Sequence, residues 1–221
     1  MTSPPTTYTP QPLYGGAIKG LIPKGWLDAS NLRQIPDHQE LYLSPTTLST
    51  LIYEINEYVP DTTSQETLSK HGELFASATS TTSQNQDRRE TLDKAAILYH
   101  ILDIQENDTV SKETIRFRTP ITSVGRREGT GAGRVYTGRV ELGKEGKDAV
   151  RCAFLVVRLE EQGSDLVVWG NVPVKEFEGR GDGDGDRDGL RGEEGVVGGV
   201  VEGLLGGDGD GLVVVEWDLF G

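Results

Sequence analysis

The side chains of this chain that could do chemistry are mainly carboxylates in one short stretch. Asp28, Asp37 and Glu40 lie within thirteen positions, and a pair of such groups could act as general acid and base. That role needs a closed pocket that perturbs their pKa values, whereas the flanking sequence indicates an exposed loop. A small hydrolase that uses these loop carboxylates is therefore the less favoured alternative.

Nucleophile and metal chemistry find little support in the residue types. Cys152 is the only cysteine, so no internal disulfide can form, and a reducing compartment is expected. It lies in an apolar run that predicts a buried strand, where a thiolate is disfavoured. The three histidines lack metal-ligand spacing, and His100 with Asp103 predicts a local surface pair on a helix. The sequence thus predicts no catalytic residue, no metal and no cofactor.

Two glycine-rich motifs imitate ligand sites. Asp184–Gly189 begins like a calcium loop, but the twelfth position is Gly195, so a low-complexity linker is the better interpretation. Gly129–Gly133 lies between predicted strands, without the helix N-terminus that would bind phosphate, so a hairpin connection is expected.

The elements that must position the carboxylates begin with a predicted strand. Gly15-Gly16 and Pro23-Lys24-Gly25 bracket an apolar run from Ala17 to Ile22, which has the length of a strand. In the polar loop that follows, Asp28 and Ser30 are acceptors suited to capping a turn. Because Pro36 restricts the residue before it, the loop should be rigid and suited to recognition. It should present Arg33, Asp37, Gln39 and Glu40.

A helix is predicted next, starting at Ser44-Pro45. Apolar residues recur at helical spacing in Leu48, Leu51, Ile52, Ile55 and Val59. On this interpretation Glu54 and Glu57 lie off the apolar stripe, share a face and form an acidic pair. An ordinary solvated face is the alternative to a binding role.

The rest of the chain predicts an α+β fold in which an antiparallel sheet is flanked by helices, an α/β/α sandwich. Residues 1–12 predict a flexible tail, and residues 13–221 a single domain. Residues 61–89 predict a disordered insertion, because 15 of these 29 residues are Ser, Thr, Asn or Gln. Residues 179–211 predict a Gly/Asp-rich low-complexity segment in which any helix would depend on packing. A second helix is predicted at Glu90–Glu106, and strands at Leu41–Leu43, Thr114–Phe117, Val135–Leu142, Ala149–Glu160, Leu166–Val174 and Leu212–Trp217.

Several segments together carry a family resemblance. The nine residues Leu32–Glu40 (LRQIPDHQE), preceded by Leu13–Ala17 (LYGGA), resemble the opening of the Ran guanine nucleotide release factors, the Mog-type nuclear import factors. The similarity continues more loosely to about residue 175. It implies a binding protein, not an enzyme, that promotes GTP release from the GTPase Ran and supports nuclear import. The Ran-binding residues that it implies are Asp28, Arg33, Asp37, Gln39, Glu40, Glu54 and Glu57.

The fold alone suggests a second hypothesis. The predicted sheet and helices also resemble the extrinsic oxygen-evolving protein of photosystem II, a structural and ion-handling subunit. Against it stand the absence of a transit peptide and the match at Arg33–Glu40, which belongs to the Ran-binding branch.

The charge and hydropathy of the chain limit the kinds of partner that it can be expected to bind. The net charge is −13, which disfavours nucleic acid and anionic membranes, and 13 of the acidic residues fall between Glu176 and Gly221. The N-terminus has no signal-like region, and no apolar run reaches transmembrane length. We expect a monomer in the nucleus and cytoplasm that binds neither nucleic acid nor membrane.

Overall fold

An antiparallel β-sheet with helices against both faces forms the frame of the molecule. The computed structural model describes residues 8–79, 87–107, 115–127, 129–143, 148–178, 186–206 and 211–220. Within them the helices are α1 (Asp61–Lys70), α2 (Gly72–Ala78), α3 (Arg88–Asn107) and α4 (Arg187–Leu204). The strands are β1 (Tyr8–Leu13), β2 (Ile18–Pro23), β3 (Leu27–Asp28), β4 (Gln39–Leu43), β5 (Thr50–Glu57), β6 (Ile115–Gly125), β7 (Arg134–Leu142), β8 (Val150–Leu159), β9 (Ser164–Pro173) and β10 (Val213–Val214).

The strand order brings distant segments together. In the described residues the large sheet has seven strands in the order β3-β4-β5-β9-β8-β7-β6, and every neighbouring pair is antiparallel. Strands β6 to β9 follow one another as the predicted meander. Strand β5 pairs with β9, so Thr50 lies opposite Asn171 and Glu57 opposite Ser164. A smaller sheet, β1-β2-β10, packs with α4. The α+β class predicted from the sequence is confirmed.

Side chains of the central strands alternate between two cores. On β8, Leu155 and Val157 belong to the core shared with α4, whereas Phe154 and Val156 belong to the core shared with α3. This is the two-residue period of a strand, and both faces are covered, so the sequence reads as an unbroken apolar run. Full burial of each such side chain contributes roughly 1.5–3 kcal/mol.

The helix predicted from Ser44 to Val59 is wrong, because this segment contains β5. Leu51 and Tyr53 are fully buried on one face, while Ile52 packs on the other. Leu48, which the helical stripe placed inside, is 68% exposed. The apolar spacing happened to fit both periods, and two ladders, with β4 and β9, satisfy the backbone of the strand.

The flexible tail predicted for residues 1–12 is wrong for residues 8–12. Tyr8–Leu13 forms β1 and pairs with β2 along its whole length. The Tyr8 hydroxyl donates a hydrogen bond to the Val196 carbonyl oxygen of α4 at 3.1 Å. Prolines are tolerated here because β1 is an edge strand. Residues 1–7 lie outside the described residues.

The disordered insertion predicted for residues 61–89 is also wrong over most of its length. Residues 61–78 form α1 and α2, and α3 begins at Arg88. The hydroxyl side chains do not break α1, since Thr67 bonds back to the Thr63 carbonyl oxygen at 2.9 Å. Small side chains at Ser64 and Thr67 are buried where α1 packs against α3. Residues 80–86 lie outside the described residues.

Part of the Gly/Asp-rich segment predicted at residues 179–211 forms helix α4. The sequence predicted that any helix in this segment would depend on packing. Asp186 begins α4, and its Oδ1 accepts a hydrogen bond from the Gly189 N–H at 2.7 Å. Val197, Val200 and Leu204 on one face are buried against the sheets. The calcium-like and low-complexity predictions for residues 179–185 and 207–210 fall outside the described residues. The Gly129–Gly133 motif does lie in the connection between β6 and β7.

Candidate functional site

The loop predicted to be rigid leaves the sheet at β3 and returns at β4. The Asp28 carboxylate accepts a hydrogen bond from the Ser30 N–H at 2.8 Å and so caps a short 3-10 turn. Arg33 and Asp37 follow in the loop, and both are exposed. Asp28 therefore shapes the turn, while Arg33 and Asp37 face solvent.

Gln39 and Glu54 lie directly opposite each other on β4 and β5. The Gln39 Nε2 donates to the Glu54 Oε1 at 2.7 Å, and the His38 Nε2 lies 3.8 Å from the same oxygen. Only 18% of the Glu54 side chain is exposed. The carboxylate is thus held in one orientation at the surface, and its neighbour His38 lies outside the seven predicted site residues.

Glu40 points to the other face of the sheet, where it anchors Tyr14. Its Oε1 accepts a hydrogen bond from the Tyr14 N–H at 2.7 Å, and its Oε2 accepts one from the Tyr42 hydroxyl at 3.4 Å. The Tyr14 hydroxyl lies 2.9 Å from the Tyr53 carbonyl oxygen and 3.1 Å from that of His38. Burial, then the nearby Glu40 carboxylate, raises the pKa of Tyr14, so the phenol stays protonated and can donate.

The backbone at Tyr14 is in the left-handed region, with φ of 50°. For a residue other than glycine this conformation costs on the order of 1–3 kcal/mol and persists only where surrounding contacts impose it. The Glu40, Tyr53 and His38 contacts are those constraints. The glycines of Tyr14-Gly15-Gly16 were the sequence signal for this turn. All three residues have a positive φ, which glycine adopts without steric cost.

Glu54 and Glu57 do not form the predicted shared-face pair. On a strand, residues three apart point to opposite faces, so the helical interpretation of this pair is wrong. Glu57 is exposed at the end of β5. Of the seven candidate residues, the structure brings Gln39 and Glu54 into direct contact and places Glu40 on the other face of the sheet. Asp28 caps the turn, and Arg33, Asp37 and Glu57 are exposed.

A cleft of about 460 Å³ opens beside Gln39 and Glu54 on the same face of the sheet. Its apolar lining includes Ile52, Ile104 and Trp169, and its far wall includes Asp103 of α3. The cleft therefore combines apolar surface with carboxylates from two different elements.

Cys152 and His100 also line this cleft, but the thiol stays protonated and the imidazole is paired with Asp165. Burial raises the pKa of the Cys152 thiol to about 12, so a nucleophilic thiolate is suppressed. The predicted surface pair of His100 with Asp103 is wrong, because His100 is buried and its Nε2 lies 2.9 Å from the Asp165 Oδ2. Asp165 also lies 3.4 Å from the buried guanidinium of Arg158. These groups join α3 to the sheet and stabilise that interface.

The fold and these side chains define a class: an α+β protein that presents a polar, mainly acidic surface at the β3-β4-β5 edge of its sheet. The family model described as "Ran-interacting Mog1 protein" matches residues 11–173. The chain belongs to this family, and the family resemblance inferred from the sequence is confirmed.

Individual relatives agree with this assignment. The chain is 46% identical over 46 residues to the human Ran guanine nucleotide release factor, which covers 21% of this chain and 25% of that protein. It is 28% identical over 177 residues to the nuclear import protein MOG1 of Saccharomyces cerevisiae, covering 75% of this chain and 66% of that protein. The chain therefore matches less than two thirds of the length of each of these relatives.

The solved structures show the fold. The crystal structure of the Saccharomyces cerevisiae Ran-binding protein Mog1p superposes with a TM-score of 0.61 at 21% identity, covering 98% of this chain and 100% of that chain. In the part of the chain that the structure describes, no helix is long and apolar enough to cross a membrane.

Proposed function

We propose that this protein binds the GTPase Ran, promotes loss of its bound GTP and supports nuclear protein import, acting in the nucleus and cytoplasm. The observation that carries the proposal is the family match over residues 11–173, which includes the whole β3-β4-β5 edge. The names of the human and yeast relatives agree with it.

Nucleotide release requires binding linkage and no catalytic side chain. A release factor must bind vacant Ran more tightly than GTP-loaded Ran. Bound nucleotide then lowers the affinity of Ran for the factor by the same ratio by which the factor lowers the affinity for nucleotide. The protein can act in this way as a monomer without a cofactor. The alternative of a hydrolase that uses the loop carboxylates is not favoured, because Asp28 caps a turn, Asp37 is exposed to solvent and Glu40 is bonded to the Tyr14 N–H.

The seven candidate residues divide into two roles. Arg33, Asp37 and Glu57 are exposed, and Glu54 reaches the surface, so we assign these four to direct contact. The remaining three act through their neighbours: Asp28 caps the turn, Gln39 orients Glu54, and Glu40 holds Tyr14. A mostly acidic contact surface fits a basic partner region, and its charges set association rate and selectivity more than total affinity.

The function is tested by loading Ran with labelled GTP and measuring label release with and without the purified protein. We expect acceleration that saturates with protein concentration and stronger binding to vacant Ran than to GTP-loaded Ran. Equal affinity for the two forms would refute the proposal, since a protein without that difference cannot shift nucleotide occupancy.

The surface is tested separately by a double Glu54→Gln and Glu57→Gln variant, which removes both charges and nearly preserves shape. We expect Ran binding to weaken on the order of tenfold. A Glu73→Gln variant on α2, an exposed site near the opposite edge of the sheet, is the matched control. If the double variant binds Ran like the control, β5 does not contact Ran, even where GTP release by the native protein is observed.

A further inference from the structure

Two exposed leucines bracket the short turn that follows β3. Leu27 is 49% exposed and Leu32 is 66% exposed. A single exposed leucine is ordinary at a protein surface. These two lie five positions apart in one turn, next to Asp28 and Arg33, which belong to the proposed Ran surface. The turn therefore joins apolar side chains to that surface.

Hydrogen bonds fix the backbone that carries Leu32. The Leu32 N–H and the Arg33 N–H both donate to the Ala29 carbonyl oxygen, at 2.9 and 3.0 Å, and Ala29 is fully buried. The Asp28 Oδ1 accepts a hydrogen bond from the Ser30 N–H at 2.8 Å. The exposure of Leu32 is thus imposed by an ordered turn, and burying its side chain against a partner costs little backbone entropy.

Leu27 lies on the face of the sheet that carries Glu54. It pairs with Leu43 of β4, which pairs with Thr50 of β5. Glu54 follows Thr50 by four positions on the strand, so the side chains of Leu27 and Glu54 point to the same face. Leu27 therefore shares a face of the β3-β4-β5 edge with the most ordered carboxylate of the proposed Ran surface.

The seven residues of the proposed Ran surface are all charged or carry an amide. Specific protein interfaces bury an apolar core inside a polar rim, and apolar burial is the dominant favourable contribution to most protein association. Exposed charges at the rim act mainly on the association rate. A surface of these seven residues alone lacks the apolar core, and Leu27 and Leu32 supply it.

We propose that Leu27 and Leu32 form the apolar part of the Ran contact and are buried against apolar side chains of the GTPase in the complex. The inference rests on the proposed function and deepens it, because it divides the surface by role. The acidic residues set the rate at which the partners associate, and the leucines set the lifetime of the complex.

Leu32→Asn tests this division, because asparagine is polar and of similar shape. In surface-binding kinetics with vacant Ran, the dissociation rate should rise on the order of tenfold. The association rate and its dependence on salt should stay close to the native values. Leu27→Asn should have a smaller effect, since Leu27 is only 49% exposed in the free protein. Leu32→Met keeps an apolar side chain and should bind like the native protein.

Leu48→Asn is the matched control. Leu48 is 68% exposed, close to the value for Leu32, but it lies in the connection between β4 and β5, at the end of β5 opposite Glu57. This variant should dissociate from Ran like the native protein. Thermal unfolding of each variant shows whether it remains folded. If neither Leu27→Asn nor Leu32→Asn, still folded, dissociates faster than Leu48→Asn, the inference is wrong.

Failure of this inference differs from failure of the proposed function. If the native protein prefers vacant Ran and the leucine variants keep the native dissociation rate, the apolar contact is wrong and the proposed function stands. If the native protein shows no preference for vacant Ran, the proposed function fails and this inference fails with it.

A second copy of the chain is the other occupant that the experiment must separate from Ran. Analytical ultracentrifugation of the native protein and of Leu32→Asn measures the oligomeric state. We expect both to be monomers. A native dimer that Leu32→Asn converts to a monomer, with unchanged Ran binding, would show that Leu32 contacts a second copy and would overturn the inference.

Discussion

Tyr14 connects the first turn of the chain to the surface that we assign to Ran. Its hydroxyl reaches the carbonyl oxygens of His38 and Tyr53, and its N–H is bonded to Glu40. These contacts join β4 and β5 from behind. A residue far from the contact surface in sequence therefore fixes the geometry of that surface.

The Tyr14→Phe variant removes the hydroxyl and keeps the ring. We expect the free energy of unfolding to fall by about 1 kcal/mol, because one partly buried hydrogen bond is lost. Urea unfolding measures this change, and Tyr99→Phe is the control, since Tyr99 is 39% exposed. Equal stability of the two variants would mean that the Tyr14 hydroxyl does not hold the strands.

Helix α4 shows how tertiary packing overrides a poor helical sequence. A side chain added at Gly199 would meet the Tyr8 hydroxyl, and one at Gly198 would meet the Arg139 guanidinium. These glycines let α4 approach β1 and the sheet closely. Gly192 differs, because an added Cβ meets no atom within 4 Å there. Its only effect is a loss of helix propensity.

Substitution of these glycines should therefore change stability in opposite directions. Gly192→Ala should raise the free energy of unfolding by roughly 0.5–1 kcal/mol, the helix-propensity difference between the residues. Gly199→Ala should lower it, because Tyr8 must move and its bond to Val196 is strained. Chemical denaturation of both variants checks this. A stabilising Gly199→Ala would show that α4 and β1 are not closely packed.

At the scale of the whole molecule, the net charge of −13 governs the approach of a basic partner. Between about 50 mM and 500 mM salt, the association rate with Ran should fall roughly tenfold, while dissociation changes much less. Stopped-flow or surface-binding kinetics measure both rates. The Glu54→Gln and Glu57→Gln variant should show a shallower salt dependence, and a salt-independent association rate in the native protein would contradict electrostatic steering.

How much of the fold was predictable depended on the distance between partners in sequence. Strands β7 to β9 were predicted because each pairs with the next, and apolar content with short turns is local information. Strand β5 was not predicted, although its partner β4 is close in sequence, because its apolar spacing also fits a helix and its second partner, β9, lies far along the chain. Helix α4 could not be assigned from propensity, since the contacts that stabilise it come from β2, β8 and β9.

The candidate site was predictable to the same extent. The residues of the Asp28–Glu40 loop were identified, because turn-forming residues act over a few positions, and the capping role of Asp28 is confirmed. The contact of Gln39 with Glu54 and the role of Tyr14 were missed, since both depend on strand pairing. Glu54 and Glu57 were predicted to share a face because the apolar spacing of this segment also fits a helix, whereas it forms a strand.

The pairing of β5 with β9 also constrains how the protein is made. Thr50 and Asn171, which meet across these strands, are 121 residues apart. During synthesis on a ribosome, β5 must leave the exit tunnel long before the strand that covers its second edge exists. Its apolar residues are then available to chaperones, and the central sheet forms only after translation of β9.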